Sequence, residues 1–477
     1  MRFWFIVGSQ LMYGEQTIKE VEANAIEMAK FLAAKLPFPL DYKGVVLSNE
    51  GAVKLIKEAN FDGDCAGIVT FCHTFSPSKM WVNALGLLQK PWCHLHTQYN
   101  LEIPDSIDMD YMNLHQSAHG DREHGYIGSR MGLPRKVIAG HWKDESVLER
   151  LGKWQRACVG ALFSRTLKVS RFGDNMREVA VTDGDKVGAQ MKFGWQVNYV
   201  PVGALVETMA SLTPGDVSAK IEEYREKYDF DGADLEAISY QAKEEIAIQS
   251  LLDQDGSLAF TNTFQDLYGL RQLPGLATQN LMSKGYGFGA EGDWKTAALT
   301  AIVKKMASDS SFMEDYTYDL KNGLSLGAHM LEVCPSIAAG RPKIEVRPLS
   351  IGNREPPARL IFEGKAGKAL VLTLLDLGGR FRLITQDIQC VEPTQKMPQL
   401  PVARVMWKPL PSLEVGAECW IMAGGGHHTV LSYGLDAETA RDWARALGLE
   451  VLHIGSQTTA QGFEREILWS ETLWRNP

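Results

Sequence analysis

Short apolar runs alternate with amphipathic stretches through the first third of this chain, and few architectures accept that pattern. FWFIVGS reads as a strand and EVEANAIEMAKFLAAKL as a helix. KGVVLS, EGAVKLIKEAN and CAGIVTFC repeat the cycle, and PSKMWVNALGLLQ, PWCHLHT, KVIAGHW and SVLERLGKWQRACVGALF continue it. Strands that are apolar on both faces, separated by helices with one apolar face, imply a parallel sheet covered on both sides. Ligands of such sheets sit beyond the carboxyl ends of the strands. That makes GSQLMYG, just after the first strand, a candidate site segment.

A second α/β unit begins near LKVSRFG and includes REVAVTDG, QVNYVPV, the charged helix DVSAKIEEYREKYDF, the helix AISYQAKEEIAIQSLLDQ and LAFTNTF. From about Ser311 the texture changes. KIEVRPLSIG, ARLIFEG, KALVLTLLDL, RFRLITQDIQCV, VARVMWKP and ECWIMAGGG read as short strands, followed by one late helix, AETARDWARALG. The expected fold is therefore α/β. Two Rossmann-like, doubly wound domains (1–168 and 169–310) precede a β-rich barrel or sandwich (311–477).

Charge and cysteine content narrow the function classes. The 477 residues carry a formal net charge of −9, which argues against a general binder of nucleic acid or anionic membrane. Seven cysteines without a CxxC pair make a zinc ribbon or a disulfide framework a poor reading. No stretch reaches the roughly 18 apolar residues of a membrane span, and MRFWFIVGSQ is too short an apolar run for a leader, so a cytoplasmic location is expected.

One motif misleads. Gly287, Gly289 and Gly292 spell GFGAEG, a formal GxGxxG, with Glu314 placed 22 residues further on. A dinucleotide fingerprint needs a strand directly before the glycines, and LATQNLMSKGYG reads as a helix and a turn. Glu291 inside the loop would also repel a pyrophosphate. The better reading has Asp293 capping the helix WKTAALTAIVKKM. Glu291 is then held just before it, and the glycines leave room for a ligand.

Four further segments combine Glu or His with small or aromatic residues: GYGFGAEGDWKT, SFMEDYTY, GAHMLEVCPS and AGGGHHTVLSYG. Taken singly, each has an ordinary structural reading, since Glu314 suits an exposed turn and His329 a hydrogen-bonded core. Taken together, with GSQLMYGEQT, MNLHQSAHGDREHGYIGSRM, VSRFGDNMREVAVTDGDKV and TFQDLYGLRQLPGLATQNLM, they resemble the L-arabinose isomerase family from the first strand to about residue 435. One departure is Leu11, where the family's GSQHLYG carries His.

The resemblance implies a metal-dependent isomerase turning L-arabinose into L-ribulose through a cis-enediol, and D-galactose into D-tagatose. A non-catalytic sugar-binding protein on the same fold is the alternative. The implied metal ligands are Glu291, Glu314, His329 and His428, holding one Mn²⁺ per subunit with Co²⁺ as a substitute. Glu291 and Glu314 double as the acid/base pair, and which of them takes the carbon proton stays open. Implied substrate contacts are Gln10, Met12, Tyr13, Gln116, His119, Met176, Phe264, Ile351 and Trp420. Met176, Phe264 and Ile351 serve equally well as core residues. Asp293, Phe312, Glu332 and His427 are implied to orient the ligands. The implied assembly is a homohexamer, a dimer of trimers, in which His119 reaches a neighbour's site; no nucleic-acid or membrane partner is expected.

Overall fold

The run RFWFIVG forms β1 (Arg2–Gly8), buried from Phe3 onward. A strand covered by helices on both faces has no solvent side toward which to alternate. In this computed structural model, which describes residues 1–230, 234–349 and 351–475, β1 lies between β2 (Leu40–Val46) and β3 (Cys65–Cys72). β4 (Trp92–His96) and β5 (Lys136–Ala139) extend the sheet in the order β2-β1-β3-β4-β5. Every pairing is parallel. The helix Gly14–Lys35 buries Val21, Ala25, Met28, Ala29 and Leu32, the spacing of one helical face. The strand order reverses at β1, so a crevice opens beyond the carboxyl ends of β1 and β3. These elements and Arg441–Gly448 form one compact unit.

Phe163–Ala440 and the chain from Leu449 onward form a second unit. Its first sheet is parallel, in the order β7-β6-β8-β9, from β6 (Lys168–Phe172), β7 (Gln196–Val200), β8 (Ala259–Asn262) and β9 (Gly287–Gly289). The rest is antiparallel: β10 (Ser310–Asp319), β11 (Leu324–Ala328), β12 (Lys343–Val346), β13 (Ala358–Ile361), β14 (Gly367–Asp376), β15 (Phe381–Val391), β16 (Arg404–Pro409) and β17 (His428–Ser432). Strands β14, β17, β10, β11, β16 and β15 pair in that order, and β15 returns to β14. The ring is closed, so the β-rich region is a barrel rather than a sandwich. Closure removes the exposed edges that an open sheet would carry. β15 is long enough to pair with β14 on one side and with β16 and the parallel β18 (Glu450–Ile454) on the other. β12 and β13 pair apart from the barrel as a two-stranded ribbon.

The helix Trp294–Met306 packs against β6, β8 and β9 on one side and β10, β14 and β17 on the other. It is buried almost all round, as a helix between two layers must be. Through it the parallel sheet and the barrel share one core.

Two expectations need correction. ECWIMAGGG is not a strand: Leu413–Met422 is a helix capped by the Ser412 hydroxyl, which accepts from the Val415 N–H at 3.3 Å. A short apolar run does not by itself distinguish the two, and here Leu413, Gly416 and Cys419 recur every three residues on the buried face. Among the described residues the β-rich region carries three helices after β16, Leu413–Met422, Ala437–Leu447 and Ala460–Arg475, instead of one. Among the described residues no helix is long and apolar enough to cross a membrane.

Candidate active site

Strand register assembles the centre of the second unit. Glu314 on β10 lies opposite His428 on β17 and opposite Ala328 on β11. His329 follows Ala328 directly. The barrel thus places Glu314 beside both histidines. Glu291 comes from the parallel sheet, in the loop between β9 and the helix Trp294–Met306. Its φ of +60° is unusual for a residue with a side chain.

Two matching pairs result. His329 Nδ1 lies 2.5 Å from Glu332 Oε2, and its Nε2 faces Glu314 Oε2 at 3.7 Å. His428 Nδ1 lies 3.1 Å from Asp293 Oδ2, and its Nε2 faces Glu291 Oε2 at 3.7 Å. In each, one carboxylate holds the back of the imidazole while another stands before its front. Phe312 fills the space between, edge-on to both rings at 5.1 and 5.2 Å. His427 Nε2 lies 3.9 Å from Glu291. The ligand-type atoms of Glu291, His427 and His428 fall within 4.8 Å of one another. His427, expected only as a supporting residue, therefore stands together with two of the expected ligands.

The hydrogen bonds set the tautomer. Asp293 caps its helix, accepting from the Thr296 N–H (3.1 Å) and hydroxyl (2.7 Å). Burial opposes its charge, but Lys295 and His428 outweigh burial and hold its pKa well below the carboxylate range. As a carboxylate it only accepts, so His428 Nδ1 carries a hydrogen, and in the neutral ring Nε2 then presents a lone pair. That Nε2 is buried and, among the described residues, has no hydrogen-bond partner. The separations of 3.7–3.9 Å exceed a hydrogen bond and suit atoms that share a cation. Carboxylates and imidazoles together are donors of the kind that hold a divalent metal ion. For His329, burial alone would lower the pKa, but Glu332, Glu314 and Glu291 raise it. For Glu291, burial is likewise overcome by His427 and His428, and its pKa falls.

A cavity of about 210 Å³ opens beside this group, lined by Glu291, His329 and Glu332 at its polar end. Met176, Phe264 and Ile351 line it too, so their side chains face a cavity instead of solid core. Tyr316 and Asn262 also line it and were not anticipated. Spacing gave no signal for Tyr316, because the β10–β11 register shifts between Asp315 and Thr317 and the regular alternation of faces is interrupted there. Burial and then the Glu314, Glu332 and Glu291 carboxylates raise its phenol pKa, leaving a neutral hydroxyl donor. Trp420 does not line the cavity. Its indole N–H donates to the Gly426 carbonyl at 3.0 Å and braces the glycine turn before His427.

The glycines of GFGAEG serve a different end from the one expected. A Cβ on Gly287 would stand 2.3 Å from the Ala297 carbonyl, and one on Gly289 2.4 Å from that of Asp293. A Cβ on Gly292 would meet the Asn175 backbone at 2.5 Å. The room they leave is taken by the protein's own backbone, so they serve close packing and no ligand.

In the first unit, Gln10, Met12 and Tyr13 follow β1, while Gln116 and His119 begin the helix Ser117–Arg130. Gln116 Nε2 donates to the Tyr13 hydroxyl at 3.4 Å, and its Oε1 lies 3.2 Å from His119 Nδ1. Phe75 stacks on His119 at 4.4 Å. Leu11 and Met12 are largely exposed.

Family models cover nearly all of the chain: the L-arabinose isomerase N-terminal domain matches residues 1–166, the central domain 168–309 and the C-terminal domain 309–450. The L-arabinose isomerase of Geobacillus stearothermophilus is 52% identical, over 99% of this chain and 98% of that one. That of Shouchella clausii (strain KSM-K16) is 52% identical, over 99% of each. Among solved structures, a glucose-galactose binding protein from Geobacillus stearothermophilus aligns with 64% of this chain and 91% of its own at 12% identity. Its TM-score is 0.16, too low to support an argument. With these matches and this site, the chain belongs to the L-arabinose isomerase family.

Proposed function

We propose that this protein isomerises L-arabinose to L-ribulose at the centre formed by Glu291, Glu314, His329 and His428, with one divalent ion, Mn²⁺ or in its place Co²⁺, per subunit. The observation that carries the reading is the buried, partnerless Nε2 of His428 facing Glu291, in a family whose relatives bear that enzyme's name. The ion, when bound, supplies a positive charge that polarises the sugar oxygens at carbons 1 and 2.

The residues do the rest. Asp293 and Glu332 fix the two imidazoles, so that their lone pairs face the same space as the glutamates. One glutamate removes the proton from carbon 2 and returns it at carbon 1. The other moves a proton from oxygen 2 to oxygen 1, so that the aldehyde becomes an alcohol and the alcohol a ketone. Two carboxylates in unlike surroundings divide acid and base roles in this way. Tyr316 offers a neutral donor at the cavity wall. Met176, Phe264 and Ile351 give that wall an apolar face that excludes water. A cytoplasmic homohexamer built as a dimer of trimers, and slower turnover of D-galactose to D-tagatose, complete the proposal.

The test is incubation with L-arabinose after chelation, with and without added Mn²⁺, followed by assay of ketopentose. Activity should vanish on chelation and return with the ion. Full turnover in metal-free protein overturns the reading.

A further inference from the structure

We infer that Asn175 and Lys295 are positioning residues, through which the segment Asp174–Asp183 presets the ligand atoms of Glu291 and His428; this rests on the metal reading above. Glu291 sits at φ +60° and Gly292 at +82°, a conformation the loop keeps only if its surroundings impose it. This segment supplies a large part of those surroundings, together with the Asn262 carbonyl, which accepts from the Gly292 N–H at 3.0 Å. The Met176 N–H donates to the Glu291 carbonyl at 2.9 Å. The Asn175 amide donates to the Gly292 carbonyl at 3.0 Å and to the Thr182 carbonyl at 2.6 Å, tying the ligand loop to both ends of the segment.

Lys295 makes the second attachment. It is buried at 1% exposure, donates to the Asp183 carbonyl at 2.5 Å and lies 3.3 Å from Asp293 Oδ1. Asp293 in turn holds His428. A buried ammonium is costly unless paired, and here its partners are the end of the segment and the carboxylate behind a ligand. One stretch of backbone therefore anchors Glu291 through the Met176 N–H and, at the next residue, Gly292 through Asn175, while it reaches His428 through Lys295 and Asp293. The segment is itself fastened away from the cavity, by Arg171 to Asp174 (2.6 Å) and by Arg177 to Asp266 (2.5 Å). Outer partners of this kind are worth about 10–100-fold in metal affinity.

The experiment measures Mn²⁺ binding by equilibrium dialysis on folded, metal-stripped protein, for the wild type, Asn175→Ala, Lys295→Met and Lys295→Arg. Thermal unfolding of each is recorded without metal. Asn175→Ala and Lys295→Met should weaken Mn²⁺ binding about 10–100-fold, and Lys295→Arg should recover part of the loss by restoring the charge. A merely structural role would lower the unfolding temperature and leave the affinity of the folded protein unchanged. Wild-type affinity, within twofold, in folded Asn175→Ala and Lys295→Met overturns the inference. Should Lys295→Met fail to fold, Asn175→Ala and Lys295→Arg decide on the same criterion. A wild type that binds no Mn²⁺ overturns the metal reading itself, an outcome distinct from loss in the variants alone.

Discussion

Glu314 and His428, 114 residues apart in the chain, are direct partners across the antiparallel pair β10–β17. Glu314 also stands beside Ala328, the residue before His329. A barrel closed by strands distant in sequence is what gathers these side chains. The register matters as much as the pairing, because a slip of one residue would turn Glu314 to the opposite face.

Glu291→Gln and Glu314→Gln should each remove most of the isomerase rate with the fold intact. A general acid or base contributes about 10²–10⁴-fold, and the loss of a ligand charge adds to that. Ketopentose assays with circular dichroism check both halves. A variant keeping more than about a tenth of the rate would remove that glutamate from the proton transfer.

Gly289→Ala should destabilise the second unit. The added methyl would meet the Asp293 carbonyl at 2.4 Å and the Ala297 nitrogen at 2.7 Å, both backbone atoms. Overpacking costs about 1–3 kcal/mol, and contact with backbone places this case at the upper end. Denaturant unfolding reads the change; a neutral substitution would show that the glycine has another purpose.

D-Galactose should be isomerised less efficiently than L-arabinose. The two sugars agree at carbons 2, 3 and 4, and galactose adds a hydroxymethyl group that Phe264 and Ile351 must accommodate. One misfitting group is worth about 1–3 kcal/mol, a preference rather than exclusion. The ratio of kcat/KM values measures it, and a ratio at or above one for galactose contradicts it.

His73 should make the first unit acid-sensitive. Burial, opposed by the bond to the Leu114 carbonyl, lowers its pKa to about 4. Its Nδ1 lies 3.0 Å from that carbonyl and its Nε2 3.1 Å from the Asn24 amide, which suits the neutral ring. The folded value lies below the unfolded 6.5, so the stability this group contributes is present above pH 6.5 and lost as pH falls through about 4. The loss amounts to about 3 kcal/mol. Unfolding followed from pH 7 to 4 in wild type and His73→Gln should show a shallower decline in the variant. Parallel curves would mean that other groups carry the acid response.

Mixed oligomers test the proposed sharing of sites. His119→Ala and Glu314→Ala chains should each be nearly inactive, and co-expressed in equal amounts they should recover roughly a quarter of wild-type activity per chain. In a cyclic arrangement half the sites keep intact ligands, and half of those receive an intact His119. Recovery no greater than the sum of the two residual activities means that His119 serves its own chain.

Much of the architecture was already legible in the residues. FWFIVGS and CAGIVTFC read as strands buried on both faces because both their faces are apolar, and Asp293 reads as a cap because it directly precedes an apolar helical run. Those are local properties of composition and spacing. Leu413–Met422 was misread because a short apolar run satisfies either secondary structure until its neighbours decide which face is covered. The glycines of GFGAEG suggest room for a ligand because spacing shows the next helix without showing that its backbone, and for Gly292 that of Asn175, lies against their α-carbons. Asn175 carries no local sign of its task, since Gly292 lies on another segment, and Lys295 has only Asp293 near it in sequence while the Asp183 carbonyl is distant. The sequence by itself determined the layers, the caps and the kinds of residue available for metal and proton chemistry. Only the tertiary structure decided which of them meet, because strand register and barrel closure set distances between residues that the chain leaves more than a hundred positions apart.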